Sequence, residues 1–549
     1  YETQSVNDGN SENFNFKNNI NGFNVNFGYK NIDFGNYDVP SGAILHEEED
    51  HDDHDEEEEH EEDMGFINNS DYAVEATKFG ISKVGDWGYV GFSVDNLESV
   101  YGIPFHGDEH GDEHGDEHGD GHGDEEEHEE ERIFSTTDSE SFTIKGSYNI
   151  NGSLINKIDF NYRDTDYSLT EDHAEEEHDE EEEHDEEEEH EEHSPTVFMN
   201  EAVEYGAVFD ISNDSSTQKV VVNFVDEDNS IIGEEAFMNP ANSEEFTIGY
   251  YLSKELGMFD FDFGFRLDQI ERSGSVSEEE HEDEHGDDHG DEHGDEHGEV
   301  DYYNIDDTTS SFAVTLGRSL SDNLDVSLGY ASFERLPSSI ELFMNGPHMA
   351  TGRFEVGDPN LNSETSNNFD VTFNFDNGDF YAFASFYITD VDNYIALIDE
   401  EEEDHMDEDE HHEDEDEHHE DEDEHDDHGN LIHANYMQKD AEFDGYEIEF
   451  GRSFDLGSGE LALSFGRDVV NAEFADGHNV PRINPARNIY SLVYTQDDLL
   501  FKLMLKDVEK QNDFGEGETA TDSYQMLNTR LTKTFNAMGN GELKAVSYT

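Results

Sequence analysis

The sequence predicts an all-β chain, a transmembrane antiparallel β-barrel of about 22 strands with long acidic extracellular loops. Three observations lead there. Apolar and polar residues alternate with period two over stretches of ten residues or more. Short turns alternate with long polar connections. Of the 145 carboxylates, 80 are gathered into five of those connections.

Alternation gives each strand one apolar and one polar face. In "MFDFDFGFRL", Phe259, Phe261, Phe263 and Phe265 alternate with Asp260, Asp262, Gly264 and Arg266. In "LDVSLGYASF", Leu324, Val326, Leu328 and Tyr330 alternate with Asp325, Ser327 and Gly329. "FDVTFNFDNGDFYAFASFYI" is a hairpin turning at Asp376-Asn377-Gly378-Asp379. Asn149-Ile150-Asn151-Gly152 and Asp322-Asn323 are expected as further tight turns. Helical periodicity is scarce, and nine prolines with 46 glycines fit an all-β chain. A soluble sandwich shows the same alternation, but its strands are mostly about five or six residues long. A tilted strand that crosses a bilayer needs about 9–11.

The charge restricts the partners. With 145 acids against 26 bases the formal net charge is −119, which repels nucleic acid and anionic headgroups and attracts cations. The acid is concentrated in runs at 46–63, 106–131, 171–193, 278–299 and 399–428, none of which contains Lys or Arg. Outside them, 65 acids meet 26 bases. Cysteine is absent, so disulfides and thiolate metal sites are excluded. No segment approaches 18 consecutive apolar residues, and "YETQSVNDGN" at the start is not a signal peptide.

At 549 residues the chain could hold three or four soluble domains of about 150 residues. Counting strands favours one barrel domain over 1–549. About three strands precede the first run, two lie between the first and second, and two between the second and third. About four lie between the third and fourth, four between the fourth and fifth, and six follow. Each interval between runs is even, so every run returns to the same side of the membrane. The total of about 21 is one short of an even barrel. The same parity puts the connections 233–243, 336–360 and 475–487 on the face that carries the runs.

Histidine marks those runs. Of 30 histidines, 27 lie inside them; His348, His433 and His478 lie outside. Imidazole with carboxylate suits Zn²⁺, and also Ni²⁺, Co²⁺ or Cu²⁺. His106, His110, His114, His118 and His122 are four apart, but the repeated Gly opposes a helix by about 1 kcal/mol each. The HGDE repeat therefore reads as a multidentate tract without a preformed site. A solvated acidic loop explains an acidic run alone. Histidine interspersed in all five favours weak metal capture, extended over His128, His281, His285, His289, His293, His297, His411, His412, His418 and His419. Affinity should fall as pH drops through ~6.5, the imidazole reference value.

Several blocks carry a family resemblance: "SVYGIPFHGDEHG" (99–111), "GEEAFMNP" (233–240), "LPSSIELFMNGPHMATGRFEVGDPNLNSETSNNFDV" (336–371), "DAEFDGYEIEF" (440–450) and "VPRINPAR" (480–487). Together they resemble TonB-dependent outer-membrane receptors, and more narrowly the zinc-uptake (ZnuD-like) group. The most specific part is "ELFMNGPHMATGRFEVGDPNL". Such receptors begin with a TonB box and plug domain and end on an aromatic residue. This chain shows neither feature and stops at "ELKAVSYT", so it resembles the barrel portion with plug and final strand missing.

The resemblance implies a zinc site built from a His in the "NGPH" block and an acid of a barrel loop, which points to His348 with Glu234 and Glu235. A loop histidine satisfying a backbone carbonyl is the alternative for His348. His433 and His478 are weaker candidates. The resemblance also implies zinc, or another divalent metal, as transported ligand with no organic cofactor. Its partners would be outer-membrane lipid and the TonB–ExbB–ExbD energy-coupling complex, acting on a monomer in the Gram-negative outer membrane. No phosphate loop, HExxH or GxSxG motif appears, so no enzymatic activity is expected. Nickel, copper, haem or a metal chelate are alternative cargoes. A calcium-binding or adhesive surface β-protein is the alternative outside transport.

Overall fold

Antiparallel neighbours must hold one register, because a slip of one residue would move every apolar side chain to the polar face. The computed structural model keeps one register in each long antiparallel ladder apart from shifts between Ser319 and Ser321 and between Val391 and Tyr394, over the residues it describes: 1–39, 65–104, 133–152, 154–173, 195–233, 236–277, 300–348, 351–400, 431–537 and 541–548. The chain opens with β1 (Glu2–Thr3), β2 (Asn10–Ile20), β3 (Phe23–Phe34), β4 (Tyr37–Asp38) and β5 (Phe66–Ile67). Then come β6 (Tyr72–Gly85), β7 (Gly88–Gly102), β8 (Ile133–Asn149) and β9 (Lys157–His173). β10 (Thr196–Asp210), β11 (Thr217–Ile232), β12 (Ala241–Leu256), β13 (Phe259–Ser277), β14 (Val300–Ser321) and β15 (Leu324–Arg335) follow. One short helix, α1 (Ser339–Phe343), precedes the four-residue strands β16 (Asn345–His348) and β17 (Arg353–Val356). The chain continues as β18 (Glu364–Asp376), β19 (Phe380–Asp399), β20 (Ile432–Asp455) and β21 (Glu460–Phe474). It ends with β22 (Arg487–Gln496), β23 (Leu499–Val508), β24 (Tyr524–Ala537) and β25 (Gly541–Tyr548).

Among the described residues, 23 strands belong to one sheet, while β4 and β5 pair apart. Twenty of the 23 have eight residues or more. Between the runs the long strands number two, two, four and four, with six after the last, as the sequence predicts. The first interval differs: its third strand is only the two-residue β1 beside β2. Asp322-Asn323 and 377–379 are tight turns, with Gly378 at φ 92°. Asn149–Gly152 is not. It begins the seven-residue connection 150–156, closed by Asn151 N–H to the Asn156 carbonyl at 3.0 Å.

Two compact units share the strands, one mostly residues 1–207 and 224–242, the other mostly 208–223 and 243–549. In the first unit, Phe16, Phe27, Phe79, Val94 and Phe142 are successive cross-strand partners on one face. All five are exposed. One residue along, Asn15, Gly28, Lys78, Asp95 and Ser141 form the opposite face, with Lys78 paired to Asp95 at 2.6 Å. A continuous exposed apolar face over a polar one suits lipid on the outside and water within. In the second unit Leu316, Leu328, Val371, Phe386, Tyr446 and Val469 are likewise successive partners, with Leu328 and Phe386 exposed and the other four half-buried.

Turns and long connections segregate. In the second unit, 257–258, 322–323, 377–379, 456–459 and 497–498 close one edge. From the other edge leave the connections that follow Ser277, Arg335, Asp399, Phe474 and Val508. In the first unit the connections holding the first three runs likewise leave from the edge opposite the turns 21–22 and 86–87. A small core lies at the long-connection edge of the second unit: Ala396, Ile398, Ala441, Ala472, Phe474 and Val480, with Tyr394, Phe443 and Ile483 against it.

Candidate functional site

The connection between β15 and β18 holds α1, β16 and β17, and it carries His348. Ser338 caps α1 through a reciprocal box: its hydroxyl accepts from Glu341 N–H at 3.3 Å, and Glu341 Oε2 accepts from Ser338 N–H at 2.7 Å. Arg335 donates to both Glu341 oxygens, at 2.8 and 3.1 Å, and to Glu364 at 3.2 Å. Leu342, Phe343 and Met344 are fully buried behind this cap. Phe343 lies against Gly274, where an added Cβ would come within 2.4 Å of its ring.

Below α1 the chain forms a small hairpin. β16 pairs with β17, setting His348 opposite Arg353 and Gly346 opposite Glu355. β17 then runs parallel to the first residues of β20, pairing Phe354 with His433 and Glu355 with Ala434. The hairpin is thereby fastened beside both feet of the fifth acidic run. Arg353 completes the fastening with a two-point ion pair to Asp399: Nε to Oδ1 at 2.7 Å and Nη2 to Oδ2 at 2.9 Å.

Glycine opposite Glu355 leaves that position without a side chain across the ladder, and the diagonal neighbour His348 leans onto it. His348 Nδ1 is 3.0 Å from Glu355 Oε1. Thr351 Oγ1 is 2.8 Å from the same Oε1 and 3.0 Å from the His348 carbonyl, so its single proton serves one of the two. Glu355 is buried at 3 % exposure. Burial alone would raise its carboxyl, but the bonds from His348 and Thr351 and the charges of His348 and Arg353 hold it below the ordinary range. An ionised Glu355 can only accept, so the proton of this bond sits on His348 Nδ1. That is the carboxylate–imidazole arrangement that orients a metal-binding histidine.

The pair is a partial site: no group of three or more His, Cys, Asp or Glu is placed to hold a metal among the described residues. His433 stacks on Phe354, ring centroids 5.1 Å apart. His478 sits in the connection 475–486 with Nδ1 3.8 Å from Asp476. Glu234, Glu235 and the acidic-run histidines singled out above lie outside the described residues. Glu355, Thr351, Arg353 and Asp399 are the site residues that sequence reasoning missed. The His348–Glu355 spacing becomes legible only once the turn between β16 and β17 is known.

Comparison with known proteins bears on the fold. The family model "TonB dependent receptor-like, beta-barrel" matches residues 2–546. Among solved structures, the chain is similar to the copper transporter OprC, with TM-score 0.66, 11% identity, and coverage of 98% of this chain and 72% of that one. It is similar to the FrpB iron transporter of Neisseria meningitidis (F3-3 variant), with TM-score 0.60, 11% identity, and 96% and 72% coverage. A third likeness is to the Serratia marcescens hemophore receptor HasR in complex with its hemophore HasA and heme, with TM-score 0.61, 11% identity, and 97% and 74% coverage. At these identities the likeness is one of fold.

Proposed function

The chain belongs to the TonB-dependent receptor β-barrel family, and on that premise we propose that it imports a divalent transition metal, zinc in the first place. It is an outer-membrane transport protein of Gram-negative type and not an enzyme. The observation that carries the metal reading is the His348–Glu355 contact at 3.0 Å, in a hairpin fastened beside the fifth acidic run. A carboxylate-oriented imidazole and histidine-bearing acidic runs are both chemistry for a borderline divalent ion.

In this reading the runs collect the ion through many weak, exchangeable ligands, and no one run histidine is indispensable. His348 offers a better-ordered ligand below them, with Glu355 as its orienting partner. Glu234 and Glu235 are proposed to complete the coordination. Transport energy comes through TonB, with ExbB and ExbD as proposed partners of a monomeric receptor in outer-membrane lipid.

Growth under zinc limitation tests the proposal. The full-length gene should restore growth to a strain lacking zinc uptake, and His348→Ala should reduce the rescue. Failure of the intact gene to rescue on zinc would sink the zinc assignment. Competitive titration with nickel, copper and iron, and a search for a Soret band with haem, decide among the alternative cargoes, of which copper, iron and haem also appear in the names of the structural neighbours.

A further inference from the structure

The lipid-facing side of the sheet carries cations where an apolar stripe should run on unbroken. In the second unit, Arg318 lies on β14 between Leu316 and Leu320 of the same face, close to the turn 322–323. Its guanidinium carbon is 5.5 Å from the ring centroid of Phe259 on β13. Arg452 lies on β20 between Phe450 and Phe454, close to the turn 456–459, with its guanidinium carbon 5.1 Å from the Phe454 centroid. Its cross-strand neighbours are Phe380 and Leu463. In the first unit, Lys83 on β6 stands opposite Phe23, Nζ 4.8 Å from the ring, beside the turn 86–87.

All three cations are exposed, and among the described residues none is hydrogen-bonded or ion-paired to a carboxylate. Partners are not scarce in a chain with 145 acids for 26 bases. Lys439 makes the contrast: it too stands over a ring, Phe474, but near the long-connection edge, and it pairs with Asp476 at 3.4 Å. Leu320, at the register shift of β14, and Leu456, at the start of the turn 456–459, are both exposed at 55 % and lie beyond Arg318 and Arg452 toward the turns. Hydrocarbon therefore reaches about as far as these cations, and a charge on a lipid face is tolerated best at the headgroup level. Short turns in such barrels face the periplasm, where the adjoining headgroups are those of the inner leaflet.

We propose that the short-turn edge of each unit binds the phosphates of anionic phospholipids, each held by one cation braced over an aromatic ring: Arg318 over Phe259 and Arg452 over Phe454 in the second unit, and Lys83 over Phe23 in the first. The ring keeps the cation extended along the sheet, and the headgroup supplies the counter-charge that no carboxylate of the chain provides. This lipid contact is independent of the cargo.

The test titrates the purified chain with short-chain phosphatidylglycerol, phosphatidylcholine or inorganic phosphate, reading retained lipid by native mass spectrometry and the unfolding midpoint. Phosphatidylglycerol should be retained in preference. Each of Arg318→Gln, Arg452→Gln and Lys83→Gln should cut that preference roughly fivefold, the effect expected of one basic residue at an anionic surface. Arg318→Lys and Arg452→Lys should keep it. If the triple Gln variant does not fold, the single variants decide. Equal retention of both lipids by the parent chain, a preference that survives the substitutions, or equal protection by inorganic phosphate overturns the proposal.

Discussion

His348 and Glu355 meet diagonally across the β16–β17 hairpin, Nδ1 to Oε1 at 3.0 Å, with the carboxylate buried and the imidazole at its edge. The carboxylate fixes the tautomer and aim of the ring, so the two residues should fail differently. Glu355→Gln keeps the shape but loses the charge. It should weaken zinc at this site roughly 10–100-fold, as loss of an outer-shell carboxylate does elsewhere. His348→Ala should remove the site. Chelator competition at substoichiometric zinc separates this component from the weaker runs. Equal affinities for parent and both variants would show that the hairpin takes no part.

Acidification should act in two stages. If the run histidines capture metal as proposed, they should release it as pH falls through ~6.5, the imidazole reference value. Glu355 has its carboxyl held below its unfolded value. Its contribution to the hairpin is therefore complete above the unfolded value of about 4.3 and is lost as pH falls through the lower folded one. Zinc retention and amide exchange over 345–356 should give well-separated midpoints. Coincident midpoints for the two would contradict the assignment.

Much of the fold was legible because alternation and turn residues are local signals. The intervals of two, two, four, four and six long strands follow from Phe259–Phe265, Leu324–Tyr330 and their like. The candidate site was half legible. His348 stands out as a histidine away from the acidic runs. Its partner Glu355 does not, because which residues face each other depends on where β16 turns into β17. Asp399 reads as the first acid of a run, yet it ends β19 and clamps Arg353. The five-residue α1 is too short for periodicity, although its Ser338-x-x-Glu341 box was present to be read.

The Arg353–Asp399 pair is partly buried, with side chains 23% and 14% exposed. Removing one partner should cost roughly 1–3 kcal/mol, between a surface pair and a fully buried one. The loss should be local. Arg353→Gln is expected to raise amide exchange in 353–356 and 432–435, where β17 lies along β20, while β14 and β15 stay protected. A double cycle with Asp399→Asn should return a coupling close to the single-variant loss.

Gly357 should tolerate no side chain. A Cβ there would lie 2.8 Å from the Leu342 carbonyl carbon and 3.0 Å from the Glu341 and Leu342 oxygens, all backbone. Its own N–H donates to the Met344 carbonyl at 2.7 Å, so the segment cannot swing aside without losing that bond. Gly357→Ala should destabilise the α1 region by about 1–3 kcal/mol through overpacking. Gly352→Ala tests a different cost, because that position is open but has φ 62°. Its loss should come from backbone strain, and Gly352→Asn should be milder than Gly352→Val. Thermal melts of the two series separate crowding from strain.

The two faces of the sheet give the last prediction. Phe79 and Lys78 are adjacent on β6, yet Phe79 stands in the exposed apolar row with Phe27 and Val94, while Lys78 pairs with Asp95 on the polar face. In water, an exposed Phe79 could be replaced by a charge at almost no cost. Against hydrocarbon, Phe79→Arg should cost about 2–4 kcal/mol near the bilayer midplane, falling toward zero near an interface. Lys78→Gln loses only a partly exposed ion pair and should cost about 0–1 kcal/mol. Reversible unfolding from liposomes measures both, and the same pair in detergent should show a smaller gap. If Phe79→Arg proves as mild as Lys78→Gln in liposomes, the apolar row does not face lipid.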